Sequence, residues 1–118
     1  MERKKKTELR KRRHARLRKK VQGTPDRPRV AVFKSLKHFY AQAIDDTTGR
    51  TIVAANSLTG DLRKSGGDAA AVKSVAELMA GKMKEAGIST IVFDHGGFGY
   101  RGKVRIFAET LREKGLQF

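Results

Sequence analysis

The chain has no cysteine. Disulfides and thiolate metal sites are therefore excluded, and a reducing compartment is the natural setting. Long apolar runs are missing too: nothing approaches the ~20 residues that a membrane-spanning helix needs. The basic N-terminus is not followed by an apolar stretch, so no secretory leader is expected. Glu2, Glu8 and a single hydroxyl residue, Thr7, argue against an organelle transit peptide in the same segment. A cytosolic protein is the expectation. Acidic residues are scarce as well. The 118 residues hold 12 Asp and Glu against 27 Lys and Arg, a formal charge of +15. Such self-repulsion is relieved by a polyanion, and nucleic acid is the commonest one.

What is present is unevenly spread. Residues 1–29 carry 14 basic and 3 acidic residues, while residues 30–118 carry 13 and 9. The chain divides into a basic arm (1–22), a linker (23–28) marked by Gly23, Pro25 and Pro28, and one nearly balanced domain (29–118). The apolar residues of the first twenty are Met1, Leu9, Ala15 and Leu17, too few to offset the entropy of ordering the segment alone. The arm should be frayed or disordered when free and helical when laid on phosphates. Membrane binding would need a Trp, Phe or Leu stripe opposite the charges, which Leu9 and Leu17 do not supply. A mere solubility tail would not need twelve Lys and Arg in twenty residues.

The domain reads as three strands, a helix, a strand and a helix. Arg29–Lys34 and Phe39–Ile44 are predicted to form a hairpin across Ser35–His38, with Tyr40, Gln42 and Ile44 on one face of the second strand and Phe39, Ala41 and Ala43 on the other. The turn Asp45–Gly49 leads to a third strand, Thr51–Asn56. After a polar loop, Ser57–Gly67, Asp68 caps a helix that runs to about Ala86. Val72, Val75, Ala76, Met79 and Met83 form its apolar stripe. Gly87 ends it. Ile88–Asp94 is read as a buried strand. The last helix, from about Lys103 to Lys114, turns Val104, Phe107, Ala108 and Leu111 inward. The expected fold is α/β, a mixed sheet of three antiparallel strands plus one parallel strand in the order β-β-β-α-β-α.

Gly97–Lys103 matches G-x-x-x-x-G-K between a strand and a helix, as a nucleotide-phosphate loop does. Val104 stands where such a loop has the Ser or Thr that holds Mg²⁺, and no later strand offers a second acidic ligand. The glycines, a helix N-terminus and Arg101, Lys103 and Arg105 suit a polymeric phosphate, and Phe98 and Tyr100 could stack on bases. The bland alternative is a tight connection with Phe98 in the core. Asp45, Asp46 and Asp94 end strands and could hold Mg²⁺ for nuclease chemistry, although DDTTG also favours Asp for turn formation alone. His14, His38 and His95 have no ligand spacing; His14, among arginines, reads as a phosphate contact or a spectator. At the hairpin, Lys34, Ser35, Lys37, His38 and Tyr40 suit RNA backbone and 2′-hydroxyl recognition.

RVAVFKSLKHFYAQAIDDTTGRTIVAANS (Arg29–Ser57) and FDHGGFGYRGKVRIFAETLREKGLQF (Phe93–Phe118) carry a resemblance. Together with the arm they resemble the bacterial family of the eighteenth large-subunit ribosomal protein. Its paired motifs are seen here as Val32–Gln42 and Phe93–Gly97. The resemblance implies a non-catalytic α/β domain on 5S rRNA, with the arm reaching further ribosomal RNA. It also implies a role in attaching 5S rRNA to 23S rRNA in the central protuberance, beside the fifth large-subunit protein. RNA-contact positions carried over are Ser35, Lys37, His38, Tyr40, Tyr100, Arg101 and Lys103. The family often has Arg at the position of His95, so a permanent charge is absent there.

The resulting expectation is a structural RNA-binding protein without cofactor, metal or small-molecule substrate. Its candidate contacts are Arg3, Lys4, Lys5, Arg10, Arg12, Arg13, Arg16, Arg18, Lys19 and Lys20 of the arm, Arg27 and Arg29 beyond it, the hairpin set, Arg63 and Lys64 of the polar loop, and Tyr100, Arg101, Lys103 and Arg105. The alternative is a small RNA-directed enzyme, either a Mg²⁺-dependent nuclease or a nucleotide-loop protein.

Overall fold

Alternating apolar residues in three successive segments demand a sheet with one buried face, and the computed structural model has it. Residues 2–18, 21–35, 37–58 and 68–118 are described, with the side chains of α1 described from Lys6 to Arg16. The elements are α1 (Glu2–Arg18), β1 (Arg29–Lys34), β2 (Phe39–Asp45), β3 (Arg50–Asn56), α2 (Ala69–Glu85), β4 (Val92–Asp94) and α3 (Gly102–Glu113). The sheet order is β3-β2-β1-β4. β1, β2 and β3 run antiparallel to one another in sequence, and β4 lies parallel to β1. This is the expected mixed α/β sheet.

Period-two alternation sorts the faces. Val30 and Val32 pair with Ala43 and Ala41, and Ala55 and Val53 continue that face on β3. With Phe39 they are buried beneath α2 and α3. The predicted α2 stripe, Val72 to Met83, is buried throughout, as are Val104, Phe107 and Leu111 of α3. Phe107 packs on Phe39 at 5.2 Å and on Phe93 at 6.3 Å between ring centroids. Burying each such side chain is worth about 1.5–3 kcal/mol. Asp68 caps α2 by accepting the Ala71 N–H at 2.8 Å, and Gly87 leaves the helix at φ +75.

One strand is shorter than its apolar run suggests. Ile88–Asp94 pairs with β1 only over Val92–Asp94. The Ile88 N–H closes the end of α2 on the Met83 carbonyl. The Ile91 N–H donates to Gln117 and the Gln117 N–H to Ser89, so this stretch is shared with the C-terminal segment instead of β1.

The other face of the sheet presents Ala31 and Phe33 of β1 and Tyr40, Gln42 and Ile44 of β2. α1 lies over it. A cleft of about 520 Å³ separates the two, lined by these five residues together with Arg10, Lys11, His14, Arg29, Val32 and Gly96. Within the arm, α1 is thus seated on the domain. The 23–28 segment, read from the sequence as a linker, is tied down: the Gly23 N–H donates to Asp46 at 2.7 Å, and the Asp46 N–H donates to the Gly23 carbonyl at 3.0 Å.

Candidate nucleic-acid interface

The anchor of α1 is a buried carboxylate. Asp94, at the end of β4, is fully enclosed. Its Oδ2 accepts from Arg29 Nη1 at 2.7 Å and from His14 Nε2 at 2.9 Å, and its Oδ1 accepts from the Gly96 N–H at 2.9 Å. Burial alone would raise the Asp94 pKa. The His14, Gly96 and Arg29 donors outweigh it, and the carboxyl sits below its ordinary value. His14 is therefore no spectator; it fastens the arm to the domain.

Arg29 also departs from expectation. It faces inward, and all three guanidinium nitrogens donate: Nη1 to Asp94, and Nε and Nη2 to Asp46 at 2.9 and 3.0 Å. Desolvation works against its charge, but the two carboxylates more than compensate and raise its pKa. Arg29 holds the fold rather than offering its charge to a phosphate.

The seat of α1 is polar. Thr7, Arg10 and His14, at i, i+3 and i+7, are its half-buried residues among those described. Gly97 lies beneath them at φ +80, and a Cβ there would collide with the Arg10 carbonyl and press on the Arg10 and His14 side chains. This glycine is needed for the close approach of a helix. The same glycine also lines the cleft between α1 and the loop, with Gly99.

Charge and rings meet beside that contact. Arg10 lies 4.8 Å from the Phe98 ring centroid and 5.9 Å from that of Phe33, and Lys34 Nζ lies 5.3 Å from Phe98. Phe33 touches both Phe98 and Tyr40, at 6.2 and 6.0 Å. Phe98 is thus half-buried, joining the aromatic row and packing against the hydrophobic core. Phe33, half-exposed at 50%, is a residue that sequence reasoning missed. Strand alternation could have found it, since it shares a face with Arg29 and Ala31, opposite Val30 and Val32. A second cleft, about 350 Å³, opens between α1 and the glycine-rich loop. Lys6, Arg10, Arg13, Lys34 and Arg101 line it, with Phe98.

At the hairpin tip, Ser35 and His38 brace each other: the Ser35 N–H donates to the His38 carbonyl at 2.9 Å and the His38 N–H to Ser35 Oγ at 3.2 Å. Buried Ser57 accepts the Phe39 N–H at 3.0 Å and lies 3.0 Å from His38 Nδ1, which fixes the ring. Lys37 is exposed beside it.

The remaining candidates are dispersed. Arg12, Arg16 and Arg27 are exposed, and Lys103 is half-buried. Tyr100 is exposed and accepts from Arg112 at 3.1 Å. Arg105 pairs with Glu109 at 2.9 Å, and that contact raises its pKa. The Arg27, Tyr100, Lys103 and Arg105 side chains line neither cleft. The side chains of Arg3, Lys4, Lys5 and Arg18, and the whole of Lys19, Lys20, Arg63 and Lys64, lie outside the described residues.

The carboxylates considered for Mg²⁺ have other work. Asp45 accepts from the Thr47 and Thr48 hydroxyls and the Thr47 N–H, as a turn residue does. Asp46 and Asp94 hold Arg29. Among the described residues no group of three or more His, Cys, Asp or Glu is placed to hold a metal, and no helix is long and apolar enough to cross a membrane.

The family described as ribosomal L18 of archaea, bacteria, mitochondria and chloroplast matches residues 4–118. The chain is similar to the large ribosomal subunit protein uL18 of Solibacter usitatus, 49% identical over 96% of this chain and 95% of the relative. It is also similar to those of Dictyoglomus turgidum (54% identical, 94% and 93% covered) and Aquifex aeolicus (51% identical, 94% of each covered). The chain belongs to the ribosomal L18 family, and it is a structural, non-enzymatic constituent of the large ribosomal subunit.

Proposed function

We propose that this protein binds 5S rRNA and helps attach it to 23S rRNA in the central protuberance, beside the fifth large-subunit protein. The observation that supports this best is the row of rings and cations on the α1 side of the sheet. Tyr40, Phe33 and Phe98 run in sequence, with Arg10 and Lys34 against them. Rings can stack on unpaired bases while cations hold the phosphates. Ser35, Lys37 and His38 continue the row at the hairpin tip.

In this reading the labour is divided. The arm (1–22) supplies charge that is blind to sequence. The domain (29–118) selects the RNA through Ser35, Lys37, His38 and Tyr40, and through Tyr100, Arg101 and Lys103 at the loop and start of α3. Arg12, Arg13 and Arg16 extend the charged track outward from the domain.

The test is hydroxyl-radical footprinting of the purified protein on a mixture of 5S rRNA and 23S rRNA fragments. Protection concentrated on 5S rRNA, with a second patch on 23S rRNA that vanishes when residues 1–20 are removed, is expected. Equal protection of all RNAs would refute the assignment to 5S rRNA.

A further inference from the structure

We propose that the cleft between α1 and the glycine-rich loop is a built seat for the RNA sugar–phosphate backbone, assembled by docking of α1 on Asp94 and Gly97. The inference rests on the RNA-binding reading above and adds how the arm engages: as one wall of a site rather than as a tethered cloud of charge.

Among the described residues, five cations converge there. Lys6, Arg10 and Arg13 come from α1, Lys34 from the end of β1 and Arg101 from the loop. No carboxylate of the described residues lines the cleft. Among the described residues, Asp94 is buried under His14 and Arg29, and exposed Glu8 is not among the lining residues. Like charges gathered on one cleft repel one another until an anion enters. A phosphodiester backbone brings several phosphates into one cleft, where a single small anion brings one. Phe98 forms an apolar part of the lining, and Arg10 is laid on it at 4.8 Å. That contact holds a guanidinium before ligand arrives, which reduces the entropy cost of binding.

Three of the five cations belong to α1, so the seat exists only while α1 is docked. The described contact stripe of the helix is polar, being Thr7, Arg10 and His14. Among the described contacts, His14 Nε2 meets Asp94 at 2.9 Å and the backbone of Arg10 rests on Gly97. Neither His14 nor Gly97 lines the cleft with a charge. They are positioning residues, and changing either leaves all five lining cations in the chain.

The experiment measures binding of full-length protein to 5S rRNA across a salt series, with amide hydrogen exchange on the same variants. Gly97→Ala and His14→Ala should speed exchange in α1 while the β1–β3 amides stay protected. Both should weaken RNA binding several-fold and flatten the salt dependence by about 0.7–0.9 in log–log slope for each phosphate released. His14→Gln, which can still donate from its side-chain amide, should restore both readouts. If Gly97→Ala does not fold, the His14→Ala and His14→Gln pair decides.

Unchanged RNA affinity and slope despite a freed α1 would overturn the seat while leaving RNA binding intact. So would undisturbed exchange in α1 in both variants. Competition by inorganic phosphate or a mononucleotide at the concentration of RNA phosphate would make it a small-anion site instead and overturn the proposal. Absence of saturable RNA binding by the unaltered protein would remove the underlying reading as well.

Discussion

His14 and Asp94 stand 80 positions apart in the chain and 2.9 Å apart in the fold. The carboxylate oxygen that joins them also takes Arg29 at 2.7 Å, so one atom ties the arm, β1 and β4 together. Asp94→Ala would leave Arg29 inside the protein with Asp46 alone. Leaving buried donors unsatisfied costs about 1–3 kcal/mol, and a loss of that order is expected in urea unfolding. His14→Ala should cost less, because Asp94 keeps Arg29 and the Gly96 N–H. An Asp94→Ala loss smaller than that of His14→Ala would contradict this ordering.

Acid should weaken the fold in a defined direction. Asp94 is lowered by its donors against the opposing effect of burial, and Asp45 is lowered chiefly by the Thr47 hydroxyl. In the unfolded chain both return to the ordinary Asp value of about 3.9. The unfolded state therefore takes up protons first as pH falls. Their stabilisation is complete above that value and drains away as pH drops through the lower folded values. Urea midpoints should be flat in this respect above about pH 5 and fall below about pH 4. Asp94→Asn should show a shallower fall; an equally steep one would place the acid sensitivity elsewhere.

Removing residues 1–20 tests the charge of the arm. RNA affinity should drop, and the log–log salt slope should flatten by about 0.7–0.9 for every phosphate that the arm had neutralised. A slope unchanged by the deletion would mean that the arm does not touch that RNA.

The hairpin makes a different prediction. Changing Lys37, His38 and Tyr40 together to Ala should narrow the preference for 5S rRNA over an unrelated RNA of equal length. Competition binding reads this directly. Equal weakening for both RNAs would move the specificity surface away from the hairpin.

Asp68 offers a local test of the fold. It is exposed, and its carboxylate caps α2 through the Ala71 N–H. Asp68→Ala should cost about 1 kcal/mol, within a range of about 0.5–2, in thermal or urea unfolding. No change would mean that another group caps the helix.

The sheet and its two covering helices are legible in the sequence because their signal is local. Val30 and Val32 alternate with Ala31 and Phe33, and Val72 to Met83 repeat at helical spacing. β4 is easily over-read because Ile88–Asp94 is mostly apolar, and nothing nearby says that Gln117 takes part of it. The docked arm is illegible for the opposite reason. Its contact stripe, Thr7, Arg10 and His14, is polar, so a search for apolar periodicity passes over it. Arg29 reads as one more cation beyond the linker, and the carboxylates that draw it inside lie 17 and 65 positions away. Of the candidate site, residue types and the hairpin are readable. The convergence of Arg10, Lys34 and Phe98 is not, because it depends on where α1 comes to rest.

The sheet order carries a consequence for how the molecule is made. β1 meets β2 across a short turn but must wait for β4, which is separated from it by two strands and a helix. Closing so long a loop is entropically costly and slow compared with forming the hairpin. As the chain emerges N-terminus first, the hairpin can form while Arg29 still lacks Asp94. α1 is synthesised first and is the element whose partner arrives almost last. During that interval its cations are unplaced, and the cleft that they line in the finished molecule does not yet exist.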